Sequence, residues 1–162
     1  MNQIAFRPET DNDREFLFRL YAGTREEEMK LVDWSDEQKE AFLRQQFEAQ
    51  TAHYRKNYIG AEYAIILREG VPVGRLYLHQ SPGDLRIMDI VLMPEHRGSG
   101  IGGALLREIM ARAGAKGDAV SIHVEQFNPA LRLYERLGFQ RIGEHGVYYL
   151  LEWRGDHVNT AS

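Results

Sequence analysis

The chain has 162 residues, 43% of them hydrophobic and 27% charged, which suits one domain of roughly 150 residues with a sizeable core and excludes intrinsic disorder. Its 24 acidic and 20 basic residues leave a net charge of −4, which disfavours broad binding to nucleic-acid phosphates. The lack of cysteine excludes disulfide scaffolds, cysteine-held metals and thiol nucleophiles, and the lack of either an apolar run of about 18 residues or an apolar leader predicts a soluble, cytoplasmic protein with no membrane partner.

In chain order, Ile4 to Phe6 predicts a short strand that stops at Pro8. Phe16, Leu17 and Leu20 share one face of a helix over Asp11 to Tyr21. Residues 23–34 read as a loop carrying the charge run Arg25, Glu26, Glu27, Glu28. Ser35 and Gln38 form a capping box that opens a long helix to about Tyr54. Tyr63 to Leu67 and Val73 to His79 are strands, with a turn at Glu69-Gly70 between them and another at Ser81-Pro82-Gly83-Asp84. Leu85 to Met93, LRIMDIVLM, predicts a central strand buried on both faces. Ile101, Leu105, Leu106, Ile109 and Met110 stripe a helix to about Ala113, which Gly114 and Gly117 end. Val120 to Val124 is a strand. Asn128 caps a short helix with Pro129 at its first position, running to about Arg136. Two strands close the fold, Gln140 to Gly143 and Val147 to Trp153, the second an edge open to pairing in a homodimer. The expected architecture is a mixed α/β domain over residues 1–155, with a frayed polar tail at 156–162. In that tail Arg154-Gly155-Asp156 is a chance tripeptide.

The most informative segment is IVLMPEHRGSGIGGALL, residues 90–106, where a strand runs through a turn bearing Gly98, Gly100, Gly102 and Gly103 into an amphipathic helix. Glycines at a helix N-terminus let a ligand approach backbone N–H groups, a ready site for phosphate oxygens, and Arg97 adds a cation. A nucleotide-hydrolysing loop is excluded, because Ala104 and Leu105 stand where Lys and Ser/Thr are needed after Gly103. Gly98, Gly100 and Gly103 do spell a dinucleotide fingerprint, with Glu125 as its acid. However, four residues separate the strand from the first glycine, and only 37 follow Glu125, too few for a second nucleotide-binding half.

Arg97-Gly98-Ser99-Gly100-Ile101-Gly102 fits [RQ]-x-x-G-x-[GA], and Asn128, Ala130, Tyr134 and Leu137-Gly138-Phe139 resemble N-x-x-A-x-x-x-Y-x-x-x-G-F, with one residue fewer between Asn128 and Ala130. Both signatures, in this order, resemble the GNAT N-acetyltransferase superfamily. That resemblance implies a mixed, mostly antiparallel sheet of six to seven strands flanked by about four helices. It implies an acyltransferase that uses acetyl-CoA and no metal to acetylate an amine-bearing acceptor. By the same resemblance Val91, Leu92 and Met93 would bond pantetheine where the central strand splays from its neighbour. Residues Arg97, Gly98, Ser99, Gly100, Ile101, Gly102 and Gly103 would hold the pyrophosphate, and Asn128 and Tyr134 would face the thiol. Tyr134 would protonate the leaving thiolate. Many members carry a glutamate base at the position of Met88 here, so the base is left to Asp89, whose carboxylate lies within an apolar strand, or to Glu125. His123 ends the same strand as Glu125, while His79 and His96 read as surface residues. The acceptor side would draw on Arg25 to Glu28, Trp34, Tyr54, Tyr58, Tyr148 and Tyr149. A CoA-binding module without catalysis and a dinucleotide oxidoreductase are the alternatives.

Overall fold

Residues 3–155 are described by a computed structural model. The chain divides into two compact units, residues 1–76 with 91–96, and residues 77–90 with 97 onward; the tail 156–162, and with it Asp156 of the Arg-Gly-Asp tripeptide, lies outside the described residues. Seven strands join in one sheet: β1 Ile4–Pro8, β2 Glu62–Arg68, β3 Val71–Ser81, β4 Asp84–Leu92, β5 Ala119–Glu125, β6 Gln140–His145 and β7 Tyr148–Trp153. Their order is β1-β2-β3-β4-β5-β7-β6. β4 and β5 run parallel, while β1 with β2, β5 with β7, and β6 with β7 are antiparallel.

In the first unit, three helices precede β2: α1 Arg14–Thr24, α2 Glu26–Lys30 and α3 Asp36–Asn57. The capping box forms as the sequence reads it: the Gln38 amide donates to Ser35 Oγ at 3.1 Å and the Ser35 amide to Gln38 Oε1 at 2.9 Å. The charge run is not a loop but the start of α2, because Arg25 pairs with Glu28 and Lys30 with Glu27 one turn apart. Met29 anchors the turn in a core of Leu17, Phe18, Tyr21, Leu43, Phe47 and Ile65. Phe18 and Phe47 meet edge-on, 5.8 Å between centroids.

Asp13, buried at the start of α1, accepts from both nitrogens of the Arg7 fork at 2.7 and 2.8 Å and from the Thr10 amide at 2.8 Å. The Arg7 bonds outweigh burial and hold the Asp13 carboxyl at about 2, below its ordinary 3.8. The stability this adds is present above 3.8 and is lost as the pH falls through about 2. Arg7 is partly solvated, so the gain is about 1–2 kcal/mol. Urea titrations at pH 6 and pH 2 should show this acid-dependent loss in the wild type and a smaller one in Asp13→Asn.

Gly74 on β3 carries a constraint the sequence reading missed. A Cβ there would drive into the Val91 carbonyl oxygen and press on Leu92 Cα at 3.2 Å. The adjacent Val73 carbonyl accepts from the Met93 amide at 2.8 Å, so this glycine brings β3 against the end of β4. Gly74→Ala should cost about 1–3 kcal/mol in urea unfolding; an unchanged midpoint would show that the strands part without penalty.

In the second unit, α4 (Ile101–Ala115) buries Leu105, Leu106, Ile109 and Ala113 and lies against β5. Each such aliphatic side chain contributes about 1.5–3 kcal/mol by leaving water. Gly114 does not end α4 but lies within it, where a Cβ would meet the Trp153 ring at 3.3 Å; Gly138 meets the same ring at 3.4 Å. These two glycines make room for one indole. The last helix, α5, is Leu131–Arg136. It starts later than expected, since Pro129 lies in a turn that the Asn128 side chain closes by accepting from the Ala130 amide at 2.8 Å. Two other readings change. The strand at Val147 to Trp153 is not an edge, because β7 pairs with both β5 and β6, and β6 takes the outer place. Within β4 only Leu85 and Ile87 are buried, and the rest of LRIMDIVLM is half-buried, because its pairing with β5 does not last the length of the strand.

Candidate functional site

In the second unit, pairing between β4 and β5 runs from Asp84↔Ala119 to Ile87↔Ile122 and stops there, although the two strands continue to Leu92 and Glu125. Met88, Asp89 and Ile90 therefore follow a ladder that has ended. The expected parting of the central strand from its neighbour is thus present in the register. Met93, in the first unit, already spends its amide on Val73, while Val91, Leu92 and Met93 are half-buried.

Strand parity separates the two candidate bases. Side chains alternate faces, so Asp89 lies with Ile87, Ile122 and Val124, whereas Glu125 lies on the opposite face with Ser121 and His123. Asp89 is half-buried and Glu125 exposed.

The glycine turn follows Arg97. Gly98 and Gly100 adopt φ of +74° and +85°, the left-handed region that glycine enters at least cost. Gly100 is the N-cap of α4, and no side chain caps that end. The first-turn N–H groups of any helix lack intrahelical partners. A Cβ added at Gly98, Gly100 or Gly102 would meet nothing within 4 Å. This end of α4 is open, carries the positive pole of the helix, and has no acid in its first turn. Residues 94–116 add Arg97, Arg107, Arg112 and Lys116 against Glu95 and Glu108. Gly103 differs from the other three, being buried with the Arg107 guanidinium 3.3 Å from where its Cβ would stand.

Tyr134, on α5, is 5% exposed and packs edge-on against Phe139 at 5.5 Å. Its hydroxyl makes no hydrogen bond among the described residues. Burial first, and the Asp89 charge second, push the phenol up to about 12. It therefore stays neutral throughout the working pH range and can only donate or accept a hydrogen bond.

On the other face of β4 and β5, Ser121 Oγ donates to Asp84 at 2.6 Å and accepts from Arg86 Nε at 2.7 Å. Arg86 Nη1 donates to His123 Nδ1 at 3.2 Å. A guanidinium has no acceptor, so this bond fixes the neutral His123 with its proton on Nε2. Burial, then the charge of Arg86, then His145 lower the His123 pKa. The sequence reading missed this chain of contacts; its signal is the alternation of Asp84 with Arg86 and of Ser121 with His123 along paired strands. His79 and His96 are half-buried rather than on the surface, and His96 Nδ1 meets Arg68 Nη1 at 3.1 Å. Of the aromatics expected on the acceptor side, Trp34 packs on Phe42 and Tyr54 on Tyr58 in the first unit. In the second unit Tyr148 is exposed and Tyr149 lies half-buried under Arg141, on opposite faces of β7.

Among the described residues no helix is long and apolar enough to cross a membrane, and no group of three or more His, Asp or Glu side chains is placed to hold a metal ion.

Comparison with known proteins gives the geometry its context. The chain is 34% identical over 104 residues to the N-alpha-acetyltransferase RimI of Mycobacterium tuberculosis, covering 64% of each protein. It is 38% identical over 74 residues to a mycothiol acetyltransferase of Corynebacterium aurimucosum, covering 44% of this chain and 24% of that protein. The chain thus spans less than two thirds of the length of these curated relatives. Among solved structures, the PaiA N-acetyltransferase of Thermoplasma acidophilum in complex with coenzyme A shares the fold with a TM-score of 0.71, at 18% identity over 94% of this chain and 99% of that one. A spermidine N-acetyltransferase SpeG of Vibrio cholerae gives a TM-score of 0.65 at 17% identity, covering 99% of both chains. The model of the acetyltransferase (GNAT) family matches residues 18–139, which take in the ladder's end, the glycine turn and Tyr134: the chain belongs to the GNAT acetyltransferase family.

Proposed function

We propose that this protein moves an acetyl group from acetyl-CoA to a primary amine of a small molecule or peptide, by direct attack in a ternary complex. The observation that carries the reading is the Tyr134 phenol, buried at its ring, held neutral beside Asp89, and with a hydroxyl that bonds no other described residue. A hydroxyl with no partner in the fold is available to donate to a bound ligand.

The chain's parts take these roles. The amides of Ile101, Gly102 and Gly103, with the turn from Arg97 to Gly100, hold the pyrophosphate at the positive end of α4. Val91, Leu92 and Met93 lie along pantetheine, and the backbone of β4 beyond the end of its ladder with β5 supplies the donor for the thioester oxygen as it gains charge. The acceptor arrives as an ammonium and must lose a proton before its nitrogen lone pair attacks the carbonyl carbon. Glu125, exposed and on the face away from Tyr134, takes that proton directly or through water. As the carbon–sulfur bond breaks, the Tyr134 hydroxyl donates a hydrogen bond to the sulfur, and the second proton that the nitrogen sheds on becoming an amide ends on the thiolate. Asp89 shares the face of Tyr134 and keeps its phenol protonated, so it serves the leaving side rather than the acceptor. Asn128 has spent its side-chain oxygen on the turn before α5 and offers its amide hydrogens alone.

Thermal melts with acetyl-CoA, ATP and NAD test the donor. A ligand at 100 times its dissociation constant adds about 2.7 kcal/mol, so acetyl-CoA should raise the midpoint by several degrees and the other two should not. No shift with acetyl-CoA, or a larger one with NAD, would refute the assignment.

A further inference from the structure

A hollow of about 360 Å³ opens among the three helices of the first unit, within the size range of small-molecule sites. Its floor is apolar: Phe18, Met29 and Leu43, all buried, contribute one side chain from each helix. Its rim is charged and one-sided, with Glu26, Asp36 and Glu40 against Lys39. Glu40 is engaged by Arg44 at 3.2 Å. Glu26 and Asp36 make no hydrogen bond or ion pair through their side chains among the described residues, although the Glu26 charge acts on Lys30 one turn away. One more residue of the wall is out of place on folding grounds. Gly23 is the second-last residue of α1, where a glycine would be favoured over alanine only by a left-handed backbone. It has no positive φ, and a Cβ there would meet nothing within 4 Å. Neither the backbone nor any neighbour requires glycine, while a side chain would occupy the hollow.

We infer that this hollow binds a small organic cation, an ammonium carried on an apolar body of aryl or short alkyl size. The apolar floor takes the body, the unpaired carboxylates take the ammonium, and Gly23 keeps the space open. The charge surplus repels an anion of the same shape. This inference stands apart from the acetyl-CoA reading, since every residue it uses lies outside the glycine turn and Tyr134.

Isothermal titration without acetyl-CoA tests it, with 2-phenylethylammonium as probe and phenylacetate as its charge-reversed counterpart. Saturable one-to-one binding of the cation, with none of the anion, is the expected result. Gly23→Leu, which suits a helix, should weaken the cation at least about tenfold by filling the space. It should leave the acetyl-CoA melting shift as in the wild type. The double variant Glu26→Gln with Asp36→Asn should weaken the cation about threefold or more through lost charge attraction; it decides the matter should Gly23→Leu lose its melting transition. Absence of saturable binding, equal binding of phenylacetate, or wild-type affinity in both variants would overturn the inference. Adding acetyl-CoA then sorts the source of the ligand: an acetylated probe marks the hollow as the acceptor's seat, and an unmodified bound probe marks it as the seat of a non-reacting ligand.

Discussion

Gly102→Val should weaken acetyl-CoA binding by about 10- to 100-fold, the 1–3 kcal/mol cost of overfilling a close contact, while the protein melts no lower than the wild type. The two halves of that expectation come from one position. Gly102 is the second residue of α4, has no positive φ, and a Cβ there meets nothing within 4 Å. Helix propensity favours almost any residue over glycine, by up to about 1 kcal/mol. Nothing in the folded chain asks for a glycine, so the substitution spares the fold. A valine at this point, however, stands over the free N–H groups of the first turn and keeps a pyrophosphate from reaching them. Gly100→Val is a poorer probe, because φ of +85° at Gly100 strains a branched side chain and mixes a folding penalty with the binding loss. Calorimetric titration of acetyl-CoA beside thermal melts separates the two effects; unchanged affinity in a well-folded Gly102→Val would mean that the turn holds no ligand.

Tyr134→Phe should lower kcat by about 10- to 100-fold, the worth of a hydrogen bond to a charged group, with acetyl-CoA affinity nearly unchanged. The phenol at about 12 is a weak acid beside an ordinary thiol near about 8.5. Handing its proton fully to a thiolate is uphill by several powers of ten, so in the proposed reaction Tyr134 would stabilise the developing sulfur charge mainly by donating a hydrogen bond to it. That bounds the loss below what a well-matched general acid would give. The ring volume is kept, and the wild-type hydroxyl has no partner to orphan, so Tyr134→Phe should fold at least as well as the wild type. Full turnover with a competent amine in the folded variant would remove Tyr134 from the chemistry.

Much of this was legible in the sequence, for local reasons. Ser35 and Gln38 announce α3 because a capping box is made of neighbours. The glycine turn and Tyr134 carry signatures whose spacing survives without coordinates. What stayed hidden depends on partners distant along the chain. EEEMK looks like a solvated loop until Arg25–Glu28 and Lys30–Glu27 close it and Met29 finds its core. Gly74 was the one strand glycine whose signal, a small residue inside an apolar run, could have flagged a close backbone approach. Asp89 and Glu125 look equivalent as carboxylates on neighbouring strands, and only the register Ile87↔Ile122 sets them on opposite faces. The order that buries β7 between β5 and β6 likewise has no trace in the strand sequences themselves.

The central claim is amine-dependent acetyl transfer, and free-thiol release from acetyl-CoA across a panel of primary amines, with the products weighed by mass spectrometry, tests it most directly. The account predicts that at least one amine accelerates thiol release and gains a single acetyl group for each thiol freed, with Tyr134→Phe slower on the same amine. Tight acetyl-CoA binding with no amine-dependent thiol release, across small amines, polyamines and peptides with free N-termini or lysines, would contradict it and leave a fold that holds the donor without using it.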